Sequence, residues 1–590
     1  MIKYFIKFIK NPGEGSIVKS KPLYEVRKIS NLKDMIEQSA GLYGAKPAFL
    51  VKQKGNSASY TPITFKEYKD DIDALGTALI SLGLKGKKIA LIGENRYEWA
   101  TTYLGVCNGT GIIVPLDKEL PQNEIENCLL RSHADAIIFS GSVSKNISSI
   151  LKNITTCKYY INMDIDEDSD GQMSYSRLLK NGYDLIKSGK REFLDAVIDN
   201  EKMNILLFTS GTTDKSKAVM LSHRNIAENL MAMCSMLYID EKDVFLSVLP
   251  AHHTYECTCG FLCQMYRGCT VAFCEGLRHI VKNLSESKCT VMNGVPLVFE
   301  SIYKQLMHQV SKKPGGAKKL KFGIKISNAL GKLGIDVRRK LFAEIHQALG
   351  GHLRLFISGA AAIDPEVSKG FRNIGIQLVQ GYGLTECAPI VGLNRDCWFK
   401  DDAAGLPLPG LKVVIDNPNS EGVGEIKVSG PSVMMGYYEN KEATDEVIRD
   451  GWFYTGDMGY LDSDGFIHIT GRMKNVIITK NGKNVYPEEI ETLLNRSDYI
   501  KESLVFGKND NDDVVVCAQI VPEREKIEED FKNGILGSSD AEAVINQEVK
   551  RINKELVTYK YVKEFTLRDT EFEKTTTKKI KRYQELNKSE

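Results

Sequence analysis

The chain is poor in features that would mark several common classes. No stretch approaches the uninterrupted apolar length of a membrane span. Net charge is only +2, which argues against a surface given over as a whole to nucleic acid or membrane, though not against local patches. The thirteen cysteines have no disulfide-framework spacing, and an odd count leaves at least one unpaired; they read as reduced thiols of a cytosolic protein. Cys257, Cys259, Cys263, Cys269 and Cys274 crowd near His252 and His253, but no CxxC pair occurs among them. Buried thiols acting as small hydrophobes account for them better than a structural metal. The phosphate-loop pattern G-x-x-x-x-G-K-[ST] is absent, as are internal repeats and long low-complexity linkers.

What is present is ordinary globular composition, 42% hydrophobic and 26% charged, over 590 residues. That length implies roughly three to five folding units. Most of the chain alternates short apolar runs with helical patterns, the signature of α/β layering. "GIIVPLD", "ADAIIFSGS", "CTVMNGVP" and "LRLFISGAA" each read as a strand followed by small residues, and the ends of such strands line ligand crevices in open parallel sheets. Beyond about Gly405 the texture changes to short strands with Gly and Asp turns, as in "GEIKVSGPSVMMGYY" and "GWFYTGDMGYLDSDGFIHITGR". From about Lys474 mixed α/β returns. The expected fold is α/β: a large N-terminal domain, residues 1–473, of layered α/β subdomains with a β-rich subdomain at about 400–473. A small mobile α+β C-terminal domain, residues 474–590, completes it.

Two segments invite a surface role. "MIKYFIKFIK" is apolar but broken by Lys3, Lys7 and Lys10. It suits an N-terminal element packed on the body better than a short basic segment lying on a membrane. Residues 312–340 carry Lys312, Lys313, Lys318, Lys319, Lys321, Lys325, Lys332, Arg338, Arg339 and Lys340 against one acid, Asp336. A solvated helix surface beginning after Pro314-Gly315-Gly316 is favoured over a patch for anionic lipid or a phosphorylated cofactor.

The chemistry concentrates in five stretches. "LLFTSGTTDKSKAVMLSH" (206–223) ends an apolar strand in small hydroxyl residues, glycine and two lysines, a loop whose donors suit a polyphosphate. "QGYGLTECAPI" (380–390) sets an aromatic, two glycines, a threonine and a carboxylate at another strand end, able to stack on a base, reach a phosphate and hold Mg²⁺. "YTGD" (454–457) places Asp457 on a turn where a carboxylate could accept ribose hydroxyls. "GRMKNVIITKNGKNVYPEEIE" (471–491) leads into the last domain, and "EKTTTKKIKR" (573–582) is a polar loop with a lysine run.

In this order and at these separations, the stretches resemble the adenylate-forming superfamily of acyl-CoA synthetases, luciferases and adenylation domains, from about Ile63 to Arg582. "LPAHHTYE", "SGAAAIDPEV", "GLPLPG" and "VYPEEIE" look most like bacterial long-chain fatty-acid–CoA ligases. The resemblance implies that Thr209, Ser210, Gly211, Thr212, Thr213 and Lys217 clamp the β- and γ-phosphates of ATP. Asp214, Ser216 and Ala218 stand where the family pattern has Gly, Pro and Gly. Gly359, Ala360, Gly381 and Tyr382 would frame the adenine, with Gly383 in the same stretch. Thr385 would touch the α-phosphate and Glu386 bind Mg²⁺; Asp457 and Arg472 would hold the ribose. His253 would close the acyl pocket, Lys474 would be the hinge, and Gly482 would let pantetheine pass. Lys579 matches the adenylation lysine, with Glu573 and Lys578 replacing the pattern's Pro and Gly.

The implied reaction is ATP-dependent formation of acyl-AMP with release of pyrophosphate, then transfer to CoA with release of AMP. At the level of the family the substrate would be a fatty acid of long chain, with medium-chain, aryl and sterol acids left open, in a tunnel lined from residues 255–268, 293–303 and 386–393. Alternatives are a ligase loading a carrier protein and a non-catalytic acyl or nucleotide sensor. No nucleic-acid partner is expected. A cytoplasmic location follows, with peripheral contact at the cytoplasmic membrane face and the oligomeric state left open.

Overall fold

The structure, a computed structural model, describes residues 6–11, 14–52, 59–150, 153–209, 217–479, 483–510, 513–576 and 578–587. The chain forms two compact units. The first holds chiefly Val18–Lys412 and Ser429–Phe453; the second holds chiefly Val413–Val428 and Tyr454–Glu590.

The first unit carries two large sheets. One has nine strands, in the order Leu406–Pro407, Ile390–Leu393, Gln377–Gly383, Leu355–Ser358, Val291–Gly294, Val244–Ser247, Thr270–Phe273, Pro47–Lys52 and Tyr60–Thr64. Its middle strands pair in parallel and are buried, as near-continuous apolar runs require. Leu246, Ala272, Met292, Phe356 and Leu378 from five of these strands pack with Phe299, Phe342 and Phe371 into one core. The other sheet runs Gly436–Tyr437, Lys217–Ser222, Met203–Thr209, Gly111–Leu116, Lys87–Ile92, Ala136–Phe139, Tyr159–Asn162 and Met173–Ser174. The expected α/β layering is borne out, with strands where "GIIVPLD", "ADAIIFSGS", "CTVMNGVP" and "LRLFISGAA" were read.

Helix His223–Cys234 starts where Ser222 and Asn225 form a reciprocal cap, so two of the orphan donors at its N-terminus are satisfied. Its Asn229 amide donates to the Cys387 and Ile390 carbonyls at 3.2 and 2.8 Å, fixing the turn that follows strand Gln377–Gly383. Residues Glu256–Leu262 form a π-helix, and every residue in it is buried. Cys257, Cys259, Cys263 and Cys269 are buried and Cys274 half-buried, all as free thiols. Burial pushes the Cys257 thiol up to about 12, so it packs as a hydrophobe.

In the second unit, Gly424–Ser429, Trp452–Leu461 and Ile467–Arg472 build a β-rich sheet that also takes in Lys412–Asp416, Glu14–Ser20 and Ile6–Asn11. Ile6–Asn11 of the N-terminal segment are thus a strand of this sheet, while residues 1–5 lie outside the described residues. Residues toward the C-terminus form strands Ile500–Asp510, Asp513–Pro522 and Glu564–Leu567, against which helices Pro487–Leu494 and Ala541–Asn553 bury Ile490, Leu494, Ile545 and Val549. No helix among the described residues is long and apolar enough to cross a membrane.

Candidate active site

Strands Met203–Thr209 and Lys217–Ser222 are antiparallel, with Thr209 opposite Lys217. Thr209 Oγ1 donates to the Lys217 carbonyl at 3.2 Å. Ser210, Gly211, Thr212 and Thr213, between them, lie outside the described residues. Lys217 and Glu386 are joined by a residue that the sequence reading did not single out. Tyr437 lies on an edge strand paired to Val219–Met220. The Lys217 ammonium sits 4.6 Å from the Tyr437 ring centroid, and the Tyr437 hydroxyl donates to Glu386 Oε1 at 3.0 Å. Burial, then Glu386, pushes the Tyr437 pKa up, so the phenol stays protonated and remains the donor. The peptide N–H of Met434 donates to the Glu386 carbonyl at 2.8 Å, fixing the backbone beneath the carboxylate.

Thr385 lies on a short 3₁₀ turn directly after strand Gln377–Gly383, and the buried Thr254 donates its hydroxyl to Thr385 Oγ1 at 3.1 Å. That bond brings the His253 loop to the Thr385 turn. His253 Nδ1 accepts the Tyr255 N–H at 3.2 Å. Its neighbour His252 is 3.6 Å from Asp117; burial lowers the His252 pKa and outweighs the carboxylate's upward pull.

The same loop is clamped from below. Glu256 is buried, its Oε1 accepting from Ser247 Oγ at 2.6 Å, while Asn95 Nδ2 donates to Ser247 Oγ and the Leu249 carbonyl at 2.9 and 2.6 Å. The Ala251 N–H completes the clamp, donating to Asn95 Oδ1 at 2.8 Å. Burial raises the Glu256 pKa to about 8, against the hydrogen bonds from Ser247 and the Leu249 backbone. A neutral acid therefore holds the histidine loop at pH 7.

Gly359 follows strand Leu355–Ser358, and a Cβ there would lie 2.8 Å from the Tyr255 ring, whose hydroxyl donates to the Ile357 carbonyl at 2.8 Å. Ala360 beside it has φ +71°, a left-handed conformation costly for any residue with a Cβ. Ser358 is opposite Gln380 on the neighbouring parallel strand, so Gly359 and Gly381 emerge side by side. Tyr382 and Gly383 end that strand, Tyr382 opposite Gly392.

In the second unit, Asp457 and Arg472 face each other across the antiparallel strands Trp452–Leu461 and Ile467–Arg472. Asp457 is buried, and Arg472 Nε is 2.7 Å from its Oδ1. The Thr455 hydroxyl accepts the Asp457 N–H at 3.1 Å and donates to the Ile426 carbonyl at 2.8 Å. Lys474 lies exposed on the 3₁₀ turn Met473–Asn475 immediately after Arg472. Gly482 lies outside the described residues.

Lys579 sits in a tight hairpin: Thr575 N–H donates to its carbonyl at 2.7 Å, and its own N–H donates to Thr575 Oγ1 at 3.2 Å. Lys578 adopts φ +62°, so the left-handed turn persists where the resemblance has glycine. The hairpin is anchored on both sides, by Lys574 on Glu502 and Glu571, and by Arg582 on Glu491 at 2.6 Å. Ile580 packs on Leu504, Val521 and Phe572. Lys579 counts among the exposed residues by surface area, while its ammonium feels both Arg472 and Asp457. Burial and then the Arg472 guanidinium lower its pKa to about 8, with Asp457 pulling the other way. Asp457, Arg472 and Lys579 therefore form one electrostatic group.

The chain is similar to known proteins along most of its length. A family model for AMP-binding enzymes matches residues 36–438, and one for the AMP-binding enzyme C-terminal domain matches residues 474–588. The long-chain-fatty-acid–CoA ligase ACSBG2 of Rattus norvegicus is 29% identical over 492 residues, 78% of this chain and 73% of the relative. The long-chain-fatty-acid–CoA ligase of Salmonella typhimurium is 27% identical over 511 residues, 81% of this chain and 83% of the relative. Among solved structures, the anthranilate CoA ligase AuaEII in complex with anthranoyl-AMP superposes with a TM-score of 0.77 at 20% identity, covering 96% of this chain and 98% of that one. The two family matches, which together span most of the chain, lead to one conclusion: the chain belongs to the AMP-binding, adenylate-forming enzymes.

Proposed function

We propose that the chain is an acyl-CoA synthetase that activates a long-chain fatty acid as acyl-AMP and passes the acyl group to CoA. What supports this most is the grouping of Lys579 with Asp457 and Arg472 on an anchored hairpin. A carboxylate is a poor electrophile and is repelled by ATP. In this reading Lys579 supplies positive charge to the α-phosphate as the fatty-acid carboxylate attacks, offsetting the charge that builds there. At a pKa of about 8 it is about nine-tenths protonated at pH 7. Asp457 accepts the ribose hydroxyls, and Arg472 fixes the carboxylate that does so.

Thr385 positions the α-phosphate, and Lys217, with Thr209, Ser210, Gly211, Thr212 and Thr213, holds the outer phosphates. Gly359, Ala360, Gly381, Tyr382 and Gly383 receive the adenine, while His253 bounds the acyl pocket. Glu386 suits Mg²⁺, which binds through one or two carboxylates plus substrate phosphates, because among the described residues the Tyr437 hydrogen bond occupies Oε1 alone. The ion would neutralise phosphate charge. Lys474 serves as the hinge about which the last domain exchanges Lys579 for the Gly482 segment, the CoA thiolate attacks, and AMP departs. The two relatives named for long-chain fatty acids support that chain-length class. A pyrophosphate-release screen across acids of differing length and ring content, with and without CoA, tests the reading. Strongest turnover with long straight chains and AMP release dependent on CoA are expected; preference for an aryl acid, or CoA-independent AMP release, contradicts it.

A further inference from the structure

The basic segment forms a helix, Gly316–Gly331, as its turn residues foretold, and its exposed side carries large apolar residues as well as lysines. Gly323 and Ser327 face the body, where Leu320 and Ile324 pack on the core. Phe322 is 65% exposed and Ile326 38%. Past the helix end the turn continues, with the Leu333 N–H donating to the Leu330 carbonyl at 2.9 Å, and Leu333 is 75% exposed. The spacing 322, 326, 333 places these three on one helical line, and Ile335, 51% exposed, follows.

Lys318, Lys321, Lys325 and Lys332 fall along one flank of that line by the same periodicity, and none makes an ion pair among the described residues. Other cations of the segment are engaged: Lys313 pairs with Glu344, Arg338 with Asp336, and Arg339 donates to the Gly351 and Leu353 carbonyls. The side directed away from the core is therefore a one-residue-wide apolar stripe edged by unspent lysines. Large apolar side chains in such a setting mark an interaction surface.

We propose that this helix is a docking surface for an anionic phospholipid bilayer, its Phe322–Ile326–Leu333 stripe entering the headgroup–acyl boundary while the lysines meet lipid phosphates. A convex helix with a narrow stripe fits a deformable bilayer directly, whereas a protein partner would need its own matching groove. Lysines at an anionic surface each contribute about fivefold in affinity, and the apolar stripe adds to that.

Vesicle flotation of the full chain tests this. Phosphatidylcholine vesicles containing about a quarter phosphatidylglycerol are compared with pure phosphatidylcholine. Recovery with the anionic vesicles, reversed by high salt, is expected. The double substitution Phe322→Ser with Leu333→Ser, and separately Lys318→Glu with Lys325→Glu, should each lower binding at least about tenfold. Pyrophosphate release with a soluble acid should be unchanged in both, which also shows that they fold. Equal binding by all variants, or no preference for anionic vesicles, overturns the proposal. So does a parent that is oligomeric in sedimentation and becomes monomeric in the variants, which would make the stripe a contact between copies of this chain.

Discussion

The Tyr437 hydroxyl donates to Glu386 Oε1 at 3.0 Å while the ring of the same tyrosine lies 4.6 Å from the Lys217 ammonium. A single phenol thus ties Lys217, proposed to hold the outer phosphates, to the carboxylate proposed for Mg²⁺. Tyr437→Phe keeps the ring and deletes the donor. A hydrogen bond to a charged acceptor is worth about 1.5–3 kcal/mol, so kcat/KM for ATP should fall roughly 10- to 100-fold. Steady-state kinetics across ATP and Mg²⁺ concentrations check this.

In the proposed reaction the electrostatic group in the second unit should set a pH limit. Lys579 must be protonated to offset phosphate charge, and its pKa is about 8, so the adenylation rate should decline as pH rises through that value. Arg472 lowers this pKa and Asp457 raises it. The alkaline limb of pyrophosphate release should therefore move up in Arg472→Gln and down in Asp457→Asn, whatever either does to the plateau rate. Limbs that stay put in both variants contradict the assignment.

Glu256 makes stability fall with pH over a defined window. Its folded pKa is raised from 4.5 to about 8 by burial, so the native state keeps a proton that the unfolded state releases. The protonated-form contribution is complete below about 4.5 and is lost as pH rises through about 8. The slope is at most about 1.4 kcal/mol per pH unit. Glu256→Gln removes it, so denaturation midpoints of the variant should gain on the parent steadily from pH 5 to pH 8. Parallel midpoints at all pH values contradict a buried neutral acid.

Gly359 is held to glycine by contact rather than by backbone angle. A methyl there would meet the Tyr255 ring at 2.8 Å, and that ring is tethered through its hydroxyl to the Ile357 carbonyl. Gly359→Ala should cost about 1–3 kcal/mol of stability, measured by denaturant unfolding.

Much of this was legible because local patterns carry it. Parallel strands buried on both faces appear as unbroken apolar runs, and their ends announce themselves with Gly, Ser and Thr, as at Ser358-Gly359 and Gln380-Gly381. Asp457 and Arg472 were named by the resemblance, and it is the hairpin of the structure that sets them face to face. Tyr437 was not legible, because it reaches the site only by pairing with Val219, a partner far away in sequence. "GYY" gives an aromatic after glycine and nothing to say what it faces. The Glu256 clamp was hidden likewise: one acid in an apolar run reads as part of a tunnel wall until Ser247 and Asn95 are placed against it. Phe322 and Leu333 were absorbed into a lysine-rich surface, since composition alone does not tell which side of a helix meets the core.

The most direct measurement separates the two half-reactions of Lys579→Ala. Fatty-acid-dependent pyrophosphate release should be abolished, while thioester formation from supplied acyl-AMP and CoA should proceed at close to the parent rate. Equal loss in both half-reactions, or undiminished pyrophosphate release, would contradict the role assigned to this lysine and with it the account of the reaction.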